Sequence, residues 1–257
     1  MILIRDGVFM KKFVLLGCVC GLSACGGGGG GIDLEFQTLT IFSDAAGVAK
    51  GTAANGGKMY YMAPNIVADV AASNAAGPQD PVNILDYPIV DREAGYNIRQ
   101  GAIDGYNVLV AEKIGTEEGS VIYLYNNFED ALAVAAAPLN GVPSGTHTYS
   151  GLYVVGKRGT GWAEMGDFTL AANLDNQTFT ITGSSADTSL TGSGYLETST
   201  GSVSSSSLVF TDVDFGSYTA TTIGTLGGNN AAEVVGLWYT NDADGDPDFA
   251  GGYSGSR

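Results

Sequence analysis

Cysteine is almost missing from this chain: 257 residues hold three, Cys18, Cys20 and Cys25, all near the N-terminus. Everything beyond Cys25 therefore lacks a disulfide, a thiol nucleophile and a Cys/His metal cluster. Histidine is scarcer still, with His147 alone. A single histidine cannot form a metal site by itself, and no nucleophile–base pair is legible, so no enzyme is expected. Bis-histidine ligation of haem within one molecule is excluded on the same ground, although tyrosine can be an axial ligand. Positive charge is also short, with 11 Lys and Arg against 27 Asp and Glu and a net charge of −16. A field of that sign repels phosphate backbones, so no nucleic-acid partner is expected.

Glycine is abundant instead, at 39 residues, and Ser, Thr and Asn crowd the second half. Gly costs about 1 kcal/mol against Ala in a helix interior, so long helices are disfavoured. Short strands joined by tight turns are favoured by the same composition. Aliphatic and aromatic residues are frequent enough for a core, and roughly 230 residues can fold without covalent staples.

Residues 1–24 read as a signal peptide. Met10-Lys11-Lys12 is a short basic region, and Phe13 to Leu22 is an apolar stretch too short to span a bilayer, which needs about 20 residues. Met10 is a better start than Met1, because the preceding residues add Asp6 and little else. Leu22-Ser23-Ala24-Cys25 follows and resembles the bacterial lipobox, an aliphatic residue and two small ones before the cysteine that becomes acylated. The resemblance implies a diacylglycerol and fatty-acyl anchor on Cys25, with the membrane as a partner through that anchor. Gly26 to Gly31 form a flexible tether, so 25–31 is lipidated cysteine plus spacer. Gly26 stands where an Asp would retain such a protein at the inner membrane, which points to the outer membrane and the cell surface.

Residues 32–138 read as a small β-rich domain of four to six strands, with the apolar runs 39–42, 59–62, 106–113 and 121–125 separated by glycines. One helix is expected over Phe128 to Ala137, capped by Asn126, with Glu129 and Asp130 in its first turn and Pro138 ending it. Tyrosines are dense here. Tyr60 and Tyr61 are candidate ligand-binding residues, since Tyr offers apolar area with a polar tip, although it is equally a good strand residue. Residues 139–145 (LNGVPSG) read as a linker.

Residues 146–257 show the clearest alternation. Eight short strands are expected at 146–155, 161–173, 177–183, 189–197, 202–211, 216–225, 232–239 and 247–253, the spacing of a sandwich or an up-and-down barrel. Phe168, Phe179, Phe210, Phe215 and Trp238 are placed inward, which favours a filled barrel over a lipocalin-like cup carrying a small apolar molecule. A membrane-spanning barrel is excluded by the Thr- and Ser-rich outward faces, which offer lipid no apolar band. Asn241 to Asp248 set carboxylates at Asp242, Asp244 and Asp246, weak metal candidates, but no register gives both the Gly and the Glu of an EF-hand loop. His147 reads as a surface histidine at a strand end.

Several stretches of this half resemble the barrel domain of the transferrin-binding protein B family. They are Gly145 to Gly151 (GTHTYSG), Gly166-Asp167-Phe168, Gly224 to Gly236 with Ala231, Glu233 and Gly236, and the closing Phe249 to Arg257. The resemblance covers roughly the last 110 residues. It implies a mainly β fold, an eight-stranded up-and-down barrel behind a small handle-like domain. It also implies a surface lipoprotein that binds a host or environmental protein, or a haem-type ligand, in iron or haem acquisition. One barrel and one short N-terminal domain are nearer to the single-lobe relatives, the haemophilin-like and factor H-binding proteins, than to the two-lobed receptor.

Overall fold

The computed structural model describes residues 39–43, 46–52, 56–63, 65–76, 87–103, 106–113, 121–125, 131–157, 160, 162–240 and 249–257. The leader, Cys25, the glycine tether and Asp242, Asp244 and Asp246 lie outside them. The N-terminal strands are β1 (Leu39–Ser43), β2 (Val48–Thr52), β3 (Lys58–Met62), β4 (Ile89–Glu93), β5 (Tyr96–Ile103), β6 (Tyr106–Lys113), β7 (Val121–Tyr125) and β8 (Ala131–Ala135), with helix α1 (Ile66–Ala76) after β3. The C-terminal strands are β9 (Thr146–Lys157), β10 (Trp162–Asn173), β11 (Thr178–Ser184), β12 (Thr188–Glu197), β13 (Ser202–Asp212), β14 (Gly216–Gly227), β15 (Glu233–Thr240) and β16 (Phe249–Ser256).

β9 to β16 close into an antiparallel up-and-down barrel, each strand beside its sequence neighbour and β16 returning to β9 with Tyr253 opposite Tyr153. Alternation decides the faces. In β11 the threonines point out while Phe179, Ile181 and Gly183 point in. The interior is filled by rings: Phe168 stacks on Tyr253 at 4.6 Å, Phe210 on Trp238 at 4.9 Å, and Tyr153 on Trp238 at 5.9 Å. Glycines make that packing fit. A Cβ at Gly236 would stand 2.3 Å from the Tyr253 ring, and one at Gly194 2.6 Å from Phe179.

β1 to β8 form an open antiparallel sheet in the order β1-β2-β3-β8-β7-β6-β5-β4. One face lies on the barrel. Tyr60, Met62, Tyr96, Ile98, Leu132 and Val134 pack there against the outward side chains Leu152, Val154, Val235, Leu237 and Tyr239. Every residue of β15 is therefore buried on both faces, and alternation vanishes from it. The sheet's other face carries α1, whose Ile66 and Val70, one turn apart, pack on Leu39 and Ala49. Asn74 of α1 also pairs with both backbone groups of Leu39, covering part of the open β1 edge.

Two expectations are corrected. The sheet has eight strands instead of four to six, and the segment 131–135 of the expected helix is instead strand β8, bonded to β3 on one side and β7 on the other, while Asn126, Phe128, Glu129 and Asp130 lie outside the described residues. Leu132 and Val134 face the barrel, so tertiary pairing overrides the helix preference of the alanines. Among the described residues of the domain, the helix is α1. The expected linker 139–145 is docked on one end of the barrel, where Asn140 bonds Gly228 and Asn230 and Leu139 packs on the interior cluster.

Candidate rim site of the barrel

The two ends of the barrel differ. One is strapped by 139–145. At the other, β9 ends on Lys157, β10 begins at Trp162, and the β13–β14 turn runs through Val213, Asp214 and Phe215. Around that rim Trp162 meets Phe249 edge-on at 6.1 Å, and Phe215 and Tyr218 lie 5.7 Å and 5.5 Å from the same ring. The Lys157 ammonium sits 3.8 Å from the centre of the Phe215 ring and 5.2 Å from that of Phe249. A cation over the ring face is attracted to the quadrupole, by about 0.5–1 kcal/mol at an exposed site.

Phe215 was expected inside the barrel. It is 52% exposed, and Val213 is 69% exposed. The turn that presents them is held by several hydrogen bonds. Asp212 Oδ1 accepts from the amides of Asp214 at 2.8 Å and Phe215 at 2.9 Å, a local side-chain lock of the Asx kind. The Val213 amide donates to the Asp187 carbonyl at 3.0 Å, and the Tyr218 hydroxyl donates to the Phe215 carbonyl at 3.1 Å. The sequence carried a signal for this: Phe215 follows two aspartates and precedes a glycine with φ of 94°, which marks a turn and not the interior face of a strand.

Acidic groups border the tip. Asp187 and Asp214 are exposed. Glu164, half-buried, accepts from the Ser185 hydroxyl at 2.5 Å. Burial pushes the Glu164 carboxyl above its usual range; the Ser185 hydroxyl and the Asp187 amide pull it back, and the Asp187 and Asp212 charges add to the rise. Among the described residues no three His, Cys, Asp or Glu side chains converge as a metal site.

Of the residues singled out in the sequence, the described ones lie elsewhere. Tyr60 is 5% exposed in the seam between sheet and barrel; its hydroxyl donates to the Gly224 carbonyl at 3.0 Å, and burial pushes its pKa up to about 12. Tyr61 points to the opposite face, packs beside α1 and lies 3.4 Å from Asp69 Oδ2. His147 sits at the strapped end, beside the Arg257 guanidinium and 2.8 Å from the Ser144 carbonyl.

No known protein-family profile matches the sequence, and none of the curated proteins does. Solved structures do. The apo haemoglobin receptor HpuA from Kingella denitrificans has a TM-score of 0.49 and 12% identity, over 86% of this chain and 90% of that one. Isotype 1 transferrin-binding protein B from serogroup B Neisseria meningitidis has a TM-score of 0.48 and 11% identity, over 88% and 57%. Intact Ap-TbpB, with its N and C lobes, has a TM-score of 0.46 and 9% identity, over 81% and 51%. In fold this chain is similar to transferrin-binding protein B and HpuA. The chain spans about half the length of the transferrin-binding protein B structures it matches.

Proposed function

We propose that this chain is a surface-presented binding protein, not a catalyst, and that it holds a protein partner on the barrel rim in the service of iron or haem capture. One observation carries the reading: Val213 and Phe215 are exposed apolar side chains on a turn already locked by Asp212, Asp187, Tyr218 and Lys157. An exposed apolar tip loses free energy to water, and one held by hydrogen bonds loses less entropy on docking, which is the profile of an interface anchor. The barrel interior, occupied by its own rings, supports an outer-surface site over the lipocalin-like carrier. The lipid anchor on Cys25 and outer-membrane delivery belong to the same proposal and rest on Leu22 to Cys25 and on Gly26. Intact mass of the membrane-extracted chain tests the anchor, with a lipid adduct expected on wild type and absent from Cys25→Ser.

Transferrin and haemoglobin, bound by the structural neighbours, serve as probes of binding. The purified full chain is immobilised beside Val213→Asp and Phe215→Ala variants. Binding of either probe that both variants lose supports the rim; binding that both retain overturns it. Failure of both probes on wild type overturns the iron-capture role.

A further inference from the structure

We infer that the partner surface is basic and carries an apolar recess that receives Val213 and Phe215; this rests on the rim reading above. Among the described residues, carboxylates outnumber cations around the tip: Glu164, Asp187, Asp212 and Asp214 stand against Lys157. Asp214 lies between its two apolar residues, and Asp187, whose carbonyl accepts from Val213, stands beside it; both are exposed. The described basic residue of the rim, Lys157, turns its ammonium onto the Phe215 and Phe249 rings. The sequence supplies no Lys or Arg between Arg158 and Arg257, a span that contains seven of the eight barrel strands, in a chain of net charge −16.

Those facts divide the work of recognition. Val213 and Phe215 supply apolar area at the centre, where desolvated aromatic anchors give most of an interface's energy. The carboxylates form the border, where charge chiefly sets partner choice and association rate. An acidic partner surface meets Asp187 and Asp214 as like charges, which the described rim cation Lys157 does not outweigh. A basic surface meets complementary charge at short range, inside the roughly 8–10 Å over which salt leaves such pairs unscreened.

Random dodecapeptides displayed on phage test this without knowledge of the natural partner. The library is panned on the immobilised full chain and counter-selected on Val213→Asp. Enriched peptides are expected to place Lys or Arg around an aromatic or aliphatic residue. Their affinity is expected to fall about tenfold or more in Asp187→Lys/Asp214→Lys, and to fall as salt rises from about 0.05 to 0.5 M. Peptides that distinguish wild type from Val213→Asp but are acidic or uncharged overturn the inference and leave the rim reading standing. A library that yields no peptide making that distinction overturns both.

Discussion

The Tyr60 hydroxyl donates to the Gly224 carbonyl across the seam between β3 and β14, at 3.0 Å. A second hydroxyl makes a matching pin, Tyr96 to Ser254 Oγ at 2.8 Å. Both rings come from the sheet and both partners from the barrel, so the two units are joined by directional bonds inside an apolar contact. Tyr60→Phe keeps the ring and leaves the Gly224 carbonyl buried without that donor. The expected cost is about 1–3 kcal/mol, read as a lower urea midpoint. Tyr61→Phe, on the opposite face and half-exposed, is expected to change stability by under about 0.5 kcal/mol.

The barrel was legible because its free face alternates. β11 reads Thr-Phe-Thr-Ile-Thr, and the observed β11 matches the expected strand to within a residue at each end. The same rule gave too little in the N-terminal domain. β4 and β8 carry no alternation that sequence alone resolves: β4 is an edge strand rich in charge, and β8 is an alanine-rich strand whose membership of the sheet is decided by β3 and β7. Tyr60 is buried and Phe215 is exposed, the reverse of the sequence reading, for a related reason. A tyrosine in a strand and a phenylalanine at a turn are each ambiguous until the covering sheet and the turn lock are known, and both are long-range facts.

Phe179 tests the filled interior. It is 2% exposed and lies against the backbone of Gly194. Phe179→Ala removes a buried ring and leaves a cavity, at an expected cost of about 3–5 kcal/mol. Thr178, exposed beside it on the outer face, is expected to lose under about 0.5 kcal/mol as Ala. Denaturant midpoints of the two variants decide between a packed barrel and a cup, since near-equal small losses are what a cup gives.

Alkaline pH offers a second measure of the same packing. Burial raises the pKa of Tyr60 and of Tyr149 to about 12, and raises those of Tyr96, Tyr153 and Tyr253 further. The unfolded chain releases these protons near the ordinary tyrosine value of about 10. Between that pH and 12 the folded state holds more protons than the unfolded one, so stability falls as pH rises through the window and is unaffected by these groups below it. Urea midpoints from pH 8 to 11.5 are expected to stay level with respect to these groups and then drop. The absorbance of tyrosinate is expected to rise in two stages, exposed rings first and buried rings with unfolding. Full ionisation at about pH 10 in the folded chain would contradict the burial described.

The last test concerns the barrel by itself. Eight strands closed on a packed interior suggest that residues 146–257 fold as a unit, and seven neighbour pairs plus the β16–β9 closure leave it no open edge. Its outer wall is a different matter. Leu152, Val154, Ile223, Val235, Leu237 and Tyr239 point outward on one side and are covered by the sheet. Stripped of β1 to β8, they form a contiguous apolar patch of the kind that drives association. The fragment is therefore expected to keep the far-ultraviolet signature of strands and to unfold cooperatively, yet to bind a hydrophobic dye and elute as associated species at a concentration where the full chain does not. Val235→Ser/Leu237→Ser in the fragment is expected to reduce both effects, because each outward side chain it replaces lies on the uncovered wall and none lines the interior. A fragment that stays dispersed without those changes would mean that the sheet is an accessory to the barrel. An associating one would mean that the sheet completes the outer half of its core, and that the barrel cannot be moved to another chain without it.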